Sequence, residues 1–249
     1  MKPLSPRIAA TRLYCDLALS PGAEIDLPEG AARHAATLLR LQAGAALSLF
    51  NGAGGEYRSS ILAVNKREVR VRVAEHHASE CESPLDITLA LGISAGERMD
   101  YSLQKATELG VTAIQPLAME RSVVRLAAER AEKRQQHWQH VVIAACEQCG
   151  RNRIPVVAPV QKLYAYLAAV DRNKRLLMLS PQADTPLKRI APAQAAVLLI
   201  GAEGGFAPAE YQAAQSSGFE PVSLGPRILR TETAPVAALA LLQALWGDL

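Results

Sequence analysis

"LLIGAEGGF", residues 198–206, is an apolar run that ends in three closely spaced glycines, with Pro208 opening the next periodic segment. Extended backwards to "AAVLLIG" (195–201), it is short and apolar on both faces, the pattern of a strand buried in the middle of a sheet. Glycines at the carboxyl end of such a strand permit positive φ and bring backbone N–H groups close to a ligand, at the edge where open α/β sheets bind them. The stretch matches neither G-x-G-x-x-G nor G-x-x-x-x-G-K-[ST] and has no lysine for a nucleoside triphosphate. Taken alone, it is equally compatible with a tight turn.

Working outward, the same alternation recurs on both sides. "DITLALGI" (86–93), "VTAIQPLA" (111–118), "RLLMLS" (175–180) and "PVSLG" (221–225) read as further strands. Helical patterns separate them over 99–110, about 126–149 and 208–218, stopped by Gly110, Gly150 and Gly218. Strands alternating with helices predict an α/β domain over 86–249, with a parallel sheet covered on both faces. Residues 234–246, "APVAALALLQALW", are apolar nearly all round, so the helix they form should be buried inside the domain or against a second copy of the chain. A homodimer is the simpler expectation.

The first 75 residues have a different character. "REVRVRV" (67–73) alternates strictly, and "ALSLFNGAGGEYRSSIL" (46–62) is two strand-like runs around Asn51-Gly52 and Gly54-Gly55, a hairpin signal. One helix is expected over 29–44, ending at Gly44. Together these suggest a compact β-barrel over 1–75. The polar, aperiodic stretch that follows, ending at Pro84, predicts a linker over 76–85.

Composition narrows the functional class. At 249 residues, 49% hydrophobic and 20% charged, with a net charge of +3, the chain reads as soluble and globular. No apolar run reaches the ~20 residues that span a bilayer. From 121 to 153, seven Lys/Arg (Arg121, Arg125, Arg130, Lys133, Arg134, Arg151, Arg153) stand against three Glu, which suits a phosphate-binding patch or a solvated helix face. Four cysteines without a signal peptide fit a reducing cytoplasm. Cys146 and Cys149 form a lone C-x-x-C; without a second Cys/His pair at zinc spacing, buried structural thiols are favoured over a metal, and no metal is expected.

Two further stretches carry candidate chemistry. "LGPRILRTET" (224–233) follows a strand and reaches the same sheet edge as the glycine loop, so Glu203, Arg227, Arg230, Thr231 and Glu232 converge on one polar pocket. Thr231 and Thr233 are also natural N-caps of the last helix, and Arg227 and Arg230 natural ion-pair partners of Glu203 or Glu232. "ACEQCGRNRIP" (145–155) ends a helix in Arg151 and Arg153, which suits either the helix dipole or a nucleic-acid clamp.

These three stretches, in this order and together with "QKATELGV" (104–111) and "ERSV" (120–123), resemble the RsmE family of ribosomal RNA uridine N3-methyltransferases, in the SPOUT superfamily. "RLYC" (12–15), "RHAATLLRLQAG" (33–44) and "LFNG" (49–52) are similar to that family's RNA-binding module. The resemblance implies a PUA-like barrel followed by a SPOUT α/β domain with a C-terminal trefoil knot, a feature no periodicity reveals. It implies S-adenosylmethionine as cofactor, held by Leu179 and Ser180, by Ile200, Gly201, Glu203, Gly204 and Gly205, and by Leu224, Gly225, Arg227, Ile228, Leu229, Arg230 and Thr231.

Glu203 and Glu232 are then the candidate bases for the N3 proton, and Arg230 the candidate to stabilise the developing charge on the uracil oxygens. RNA contacts fall to Arg7, Arg12, His34 and Arg40 on the barrel and to Arg151 and Arg153 near the site. The implied partner is 16S ribosomal RNA or the assembled small subunit. Ala202 departs from the family's usual G-P-E-G-G but keeps the glycines. The competing reading is a non-catalytic RNA-binding assembly factor on the same fold; a dinucleotide oxidoreductase lacks its fingerprint.

Overall fold

The structure, a computed structural model, describes residues 11–65, 68–122 and 128–249. Arg7, Arg67, Arg125 and the start of the helix expected from 126 lie outside these residues. The chain divides into two compact units: one runs up to Glu82 and takes in Cys146–Ile154, and the other comprises Ser83–Ala145 and Pro155–Leu249. A linear boundary at 76–85 has no means of expressing the return of 146–154 to the first unit. The first two residues of that expected linker belong to a strand.

The first unit is a mixed five-stranded sheet. Its strands are β1 (Arg12–Tyr14), β2 (Glu24–Asp26), β3 (Ala46–Phe50), β4 (Glu56–Asn65) and β5 (Glu68–His77), in the order β1-β3-β4-β5-β2. The hydrogen-bonded path is open between β1 and β2 among the described residues. β1 runs parallel to β3 and the other pairs are antiparallel. The alternation in β5 works as read: Val69, Val71 and Val73 are fully buried, while Arg70 and Arg72 face outward and pair across the sheet with Asp26 and Glu24. The single helix expected over 29–44 is shorter, with α1 (Glu29–Arg33) passing into a π-helical turn, His34–Leu38. β1 and β2, at three residues each, are too short to carry a periodic signal.

The second unit is an all-parallel sheet. Its strands are β6 (Asp86–Gly92), β7 (Ala113–Ala118), β8 (Val156–Val157), β9 (Gln161–Lys162), β10 (Arg175–Leu179), β11 (Ala195–Ile200) and β12 (Glu220–Val222). They lie in the order β12-β10-β11-β6-β7-β8, with β9 also on β7. Buried β6 and β11 pair along six residues at the centre, Asp86 opposite Ala195 through Leu91 opposite Ile200. The helices are α2 (Gly96–Glu108), α3 (Ala128–Cys149), α4 (Leu163–Ala169), α5 (Pro208–Ser216) and α6 (Thr233–Trp246). The last turn of α3 belongs to the first unit.

α6 buries Pro235, Ala238, Leu239, Leu242 and Gln243 within its own unit, while Val236, Ala240 and Leu241 are half-buried and Leu245 is 43% exposed. The buried face also carries one polar latch. Gln243 donates from Nε2 to the Leu109 carbonyl at the end of α2, 2.9 Å away, and accepts from the Ser83 hydroxyl at 2.7 Å. Gly110, at φ +81°, leaves that amide room, since a Cβ there would come 2.7 Å from Nε2.

Candidate active site

Parallel strands put all their carboxyl ends on one edge of the sheet. The loops that leave β10, β11 and β12 there enclose a cavity of about 390 Å³. The loop after β10 contributes Leu179, Ser180 and Gln182, and the glycine loop after β11 contributes 200–206. From the segment after β12 come Leu224, Gly225, Arg227, Ile228, Leu229 and Thr231. Every cofactor residue expected from the sequence lines this cavity except Arg230, and Glu232 does not line it either.

The glycine loop is shaped by tight approach. Gly205, at φ +67°, closes a turn by donating its N–H to the Ala202 carbonyl at 2.8 Å. At Gly204 a Cβ would stand 2.8 Å from Cβ of Arg121 and 3.2 Å from that residue's carbonyl oxygen, so only glycine fits against the segment after β7. Arg121 itself lines the cavity and donates to the Gly204 carbonyl at 3.2 Å. Its sequence signal is the "ERSV" stretch directly after a strand's carboxyl end, within the basic run 121–153.

The carboxylates are held unequally. Glu203 Oε1 accepts the Ala95 N–H at the start of α2, 2.8 Å away, and lies 3.8 Å from the Arg98 guanidinium. Its Oε2 is buried without a hydrogen-bond partner among the described residues, as are Thr231 Oγ1 and Glu232 Oε2. Glu210, 2% exposed, was missed by the sequence reading. It accepts the N–H groups of Glu120 (2.8 Å) and Ala207 (2.9 Å), tying Arg121's loop to the start of α5.

Two expectations for 224–233 are corrected. Arg227 and Arg230 are exposed and form no ion pair with Glu203 or Glu232 among the described residues, because the loop carries them outward rather than under the helix. Nor do the threonines cap α6. Glu232 is the N-cap residue without a side-chain cap, and the first N–H groups, of Thr233 and Ala234, donate instead to the Arg230 carbonyl at 3.0 and 2.9 Å.

In the first unit the candidate RNA residues separate by burial. Arg12, with a side chain 4% exposed, pairs with Glu56, donates to Asn152 Oδ1 at 2.8 Å and to the Arg151 carbonyl at 3.1 Å, and stacks 4.7 Å over Phe50. Arg151, 5% exposed, pairs with Glu82 at 2.6 Å. Both guanidiniums are therefore internal braces: they fasten the 146–154 segment to its own unit and are not presented to phosphate. His34, Arg40 and Arg153 do reach the surface. His34 Nδ1 lies 3.6 Å from Glu147, whose carboxyl is raised above its ordinary range chiefly by burial, against the lowering effects of the Tyr14 N–H, His34 and Arg12.

The C-x-x-C is split in environment. Burial pushes the Cys146 thiol up to about 12, and Cys149 is half-buried. Among the described residues no group of three His, Cys, Asp or Glu is placed to hold a metal ion, and no helix is long and apolar enough to cross a membrane.

Comparison with known proteins bears on this geometry. Residues 81–243 match the RNA methyltransferase domain family and residues 27–74 the RNA methyltransferase PUA domain family. A ribosomal RNA small subunit methyltransferase E from Buchnera aphidicola is 35% identical over 239 residues, covering 96% of this chain and 97% of that protein. A methyltransferase from Legionella pneumophila, solved with its cofactor SAM bound, superposes with a TM-score of 0.93 at 40% identity, covering 97% of this chain and all of the other. The ribosomal RNA small subunit methyltransferase E of Neisseria gonorrhoeae, bound to S-adenosyl methionine, gives a TM-score of 0.89 at 42% identity, covering 96% and 98%.

Proposed function

The chain belongs to the ribosomal RNA small subunit methyltransferase E family, and from that premise we propose that it methylates N3 of one uridine in 16S ribosomal RNA, using S-adenosylmethionine. The observation that carries the reading is the cavity at the carboxyl edge, built by three consecutive loops of one parallel sheet. Its volume lies in the ~300–1,000 Å³ range of small-molecule sites. Leu179, Ile200 and Leu224 supply apolar wall, and the glycines supply accessible backbone. The partnerless buried oxygens of Glu203 and Thr231 are groups that a polar ligand satisfies.

Bound there, S-adenosylmethionine supplies an electrophilic sulfonium methyl group. The rest is work for the chain. Uracil N3 becomes nucleophilic only as its weakly acidic proton leaves, so a base and a countercharge are both required. We assign the proton to Glu203, because it lines the cavity and has one oxygen without a partner, whereas Glu232 stands outside. Arg121, at the rim, and exposed Arg230 provide positive charge for the uracil oxygens. N3 lies on the Watson–Crick edge, so the uridine must be unpaired when it reacts. Phosphate contact falls to His34, Arg40 and Arg153, and we place Arg7 with them.

The partly exposed face of α6, with half-buried Val236, Ala240 and Leu241 and exposed Leu245, is the surface a second copy would cover, making the enzyme a homodimer. We read the segment from 224 onward as the one that threads the trefoil knot of a SPOUT domain, and the cytoplasm, where ribosomes are assembled, as the site of action.

The test is nucleoside analysis of 16S RNA from cells lacking the gene, with and without its restoration. Loss and recovery of N3-methyluridine is expected; a different base or atom refutes the assignment. In vitro, Glu203→Gln keeps the Ala95 contact and should abolish transfer while the cofactor still binds. Arg230→Ala should lower kcat without raising KM for RNA, and an equal loss of RNA affinity would remove Arg230 from the chemistry.

A further inference from the structure

The cavity at the carboxyl edge has an aromatic corner that its hydrogen-bonding loops do not explain. Phe206 directly follows the glycine loop, Tyr211 stands in the first turn of α5, and both line the cavity. Their rings meet edge to face, with centroids 6.5 Å apart and planes at 72°. The chain's other two phenylalanines, Phe50 and Phe219, are buried, whereas Phe206 and Tyr211 are half-buried. Both also pack against the apolar cluster that includes Leu163, Met178, Leu199 and Phe219. The rings are therefore held by the core and open to the cavity, a surface set in place before any ligand arrives.

The charges around the cavity give that surface a purpose. Arg121 and Arg227 line it, and Glu203 is the one carboxylate to do so among the described residues. One Glu203 oxygen is already occupied by the Ala95 N–H. The cofactor of the proposed reaction brings in a sulfonium, a cation without an N–H or O–H, so no carbonyl or carboxylate can hold it through a hydrogen bond. A carboxylate pressed against it has a second drawback, since it is itself a nucleophile and competes with uracil for the methyl group. The negative face of an aromatic ring attracts a cation without either difficulty.

We propose that the corner formed by Phe206 and Tyr211 receives the sulfonium of S-adenosylmethionine and so makes the cavity prefer the charged cofactor to its neutral product. The inference rests on the methyltransferase reading above. When the methyl group moves to uracil N3, which has given its proton to Glu203, the electron pair of the broken bond stays on sulfur and leaves an uncharged thioether. The attraction to the rings ends there, and the spent cofactor is held by its other contacts alone. Backbone groups of the glycine loop cannot make this distinction, because adenosine and the amino-acid portion are the same before and after transfer.

The test is titration calorimetry of the full chain with S-adenosylmethionine and, separately, with S-adenosylhomocysteine, which differ in that methyl group and its charge. Attraction of a cation to a ring corresponds to about 2- to 30-fold in affinity. Phe206→Leu/Tyr211→Leu keeps apolar bulk, and should raise Kd for S-adenosylmethionine at least fivefold while leaving Kd for S-adenosylhomocysteine within twofold. Tyr211→Phe keeps the ring and should leave both within twofold of wild type. Phe206→Leu alone should show the same bias at twofold or more, and decides the matter if melting shows the double variant unfolded. Equal weakening of the two ligands overturns the proposal and assigns the rings to adenosine. An unchanged Kd for S-adenosylmethionine overturns it as well. A wild-type chain that binds neither ligand refutes the methyltransferase reading itself, whereas binding of both with no charge preference lost in the variants removes only the aromatic corner.

Discussion

Gly204→Ala tests whether the close approach between the glycine loop and the β7 loop shapes the cofactor cavity. The added Cβ would meet Arg121 Cβ at 2.8 Å and the Arg121 carbonyl at 3.2 Å. Opening the nearer contact to an ordinary 3.4 Å takes about 0.6 Å of movement, and overpacking of this kind costs about 1–3 kcal/mol. Both segments lie at the edge of the sheet and can part without disturbing the core. The free protein should therefore relax, with little loss of melting temperature. The cost returns when S-adenosylmethionine requires the undisturbed loop, raising its Kd by roughly 5- to 150-fold. The second site distinguishes contact from other causes. Arg121→Ala keeps the offending Cβ and should leave Gly204→Ala impaired, whereas Arg121→Gly removes it. In titration calorimetry, Gly204→Ala placed on Arg121→Gly should cost at least 1 kcal/mol less than on wild type. Equal costs in the two backgrounds would refute the steric reasoning.

Gln243→Leu leaves the buried Leu109 carbonyl and the Ser83 hydroxyl without their partner, which should cost about 2–4 kcal/mol and lower Tm by roughly 4–15 °C; a loss under 1 kcal/mol in urea denaturation contradicts the latch. For Glu147, the folded carboxyl is raised above its ordinary 4.5, chiefly by burial, so its contribution to stability is full below that value and is lost as pH rises through the folded pKa. Glu147→Gln, which still accepts the Tyr14 N–H, should therefore gain stability over wild type at pH 7 and lose that gain near pH 4. A gain independent of pH would assign the effect to packing.

The second unit was largely legible because its signals are long and local. β11 is a fully apolar run and β6 is apolar apart from Asp86 and Thr88, and the glycines of 201–205 punctuate the edge where the cavity opens. Thirteen of the fourteen residues expected to hold the cofactor line the cavity, Arg230 being the exception, while Pro181, Gln182, Ala202 and Phe206 line it without having been expected to. Legibility failed for Arg121 and Glu210, whose importance lies in which loops they tie together. Glu210 reads in sequence as an ordinary first-turn glutamate, and only the fold brings the Glu120 N–H within 2.8 Å of it. β1, β2, β8 and β9 carry no periodic signal in two or three residues; β12, equally short, was legible because Gly218 and Gly225 bracket its apolar run.

The arginines make the deeper case. Arg12, Arg40, Arg151 and Arg153 have the same chemistry, and a basic stretch gives each the same claim on phosphate. What separates them is where carboxylates and carbonyls far away in sequence come to rest. Glu56 and Asn152 converge on Arg12, and Glu82 on Arg151, across separations of 44 to 140 residues. A desolvated guanidinium is tolerable only when so surrounded, and once surrounded it is out of a ligand's reach, as the 4% and 5% side-chain exposures of Arg12 and Arg151 record. The basic "GRNR" that reads as a nucleic-acid clamp is thus, at Arg151, a clamp closed on its own unit, the one to which Cys146–Ile154 belongs. Arg40 shows the reverse, a cation held at a backbone cost, φ +51°, with no internal carboxylate to explain it among the described residues. Charge density in sequence locates a basic region; the cation that reaches outward is the one the fold exposes without an internal partner.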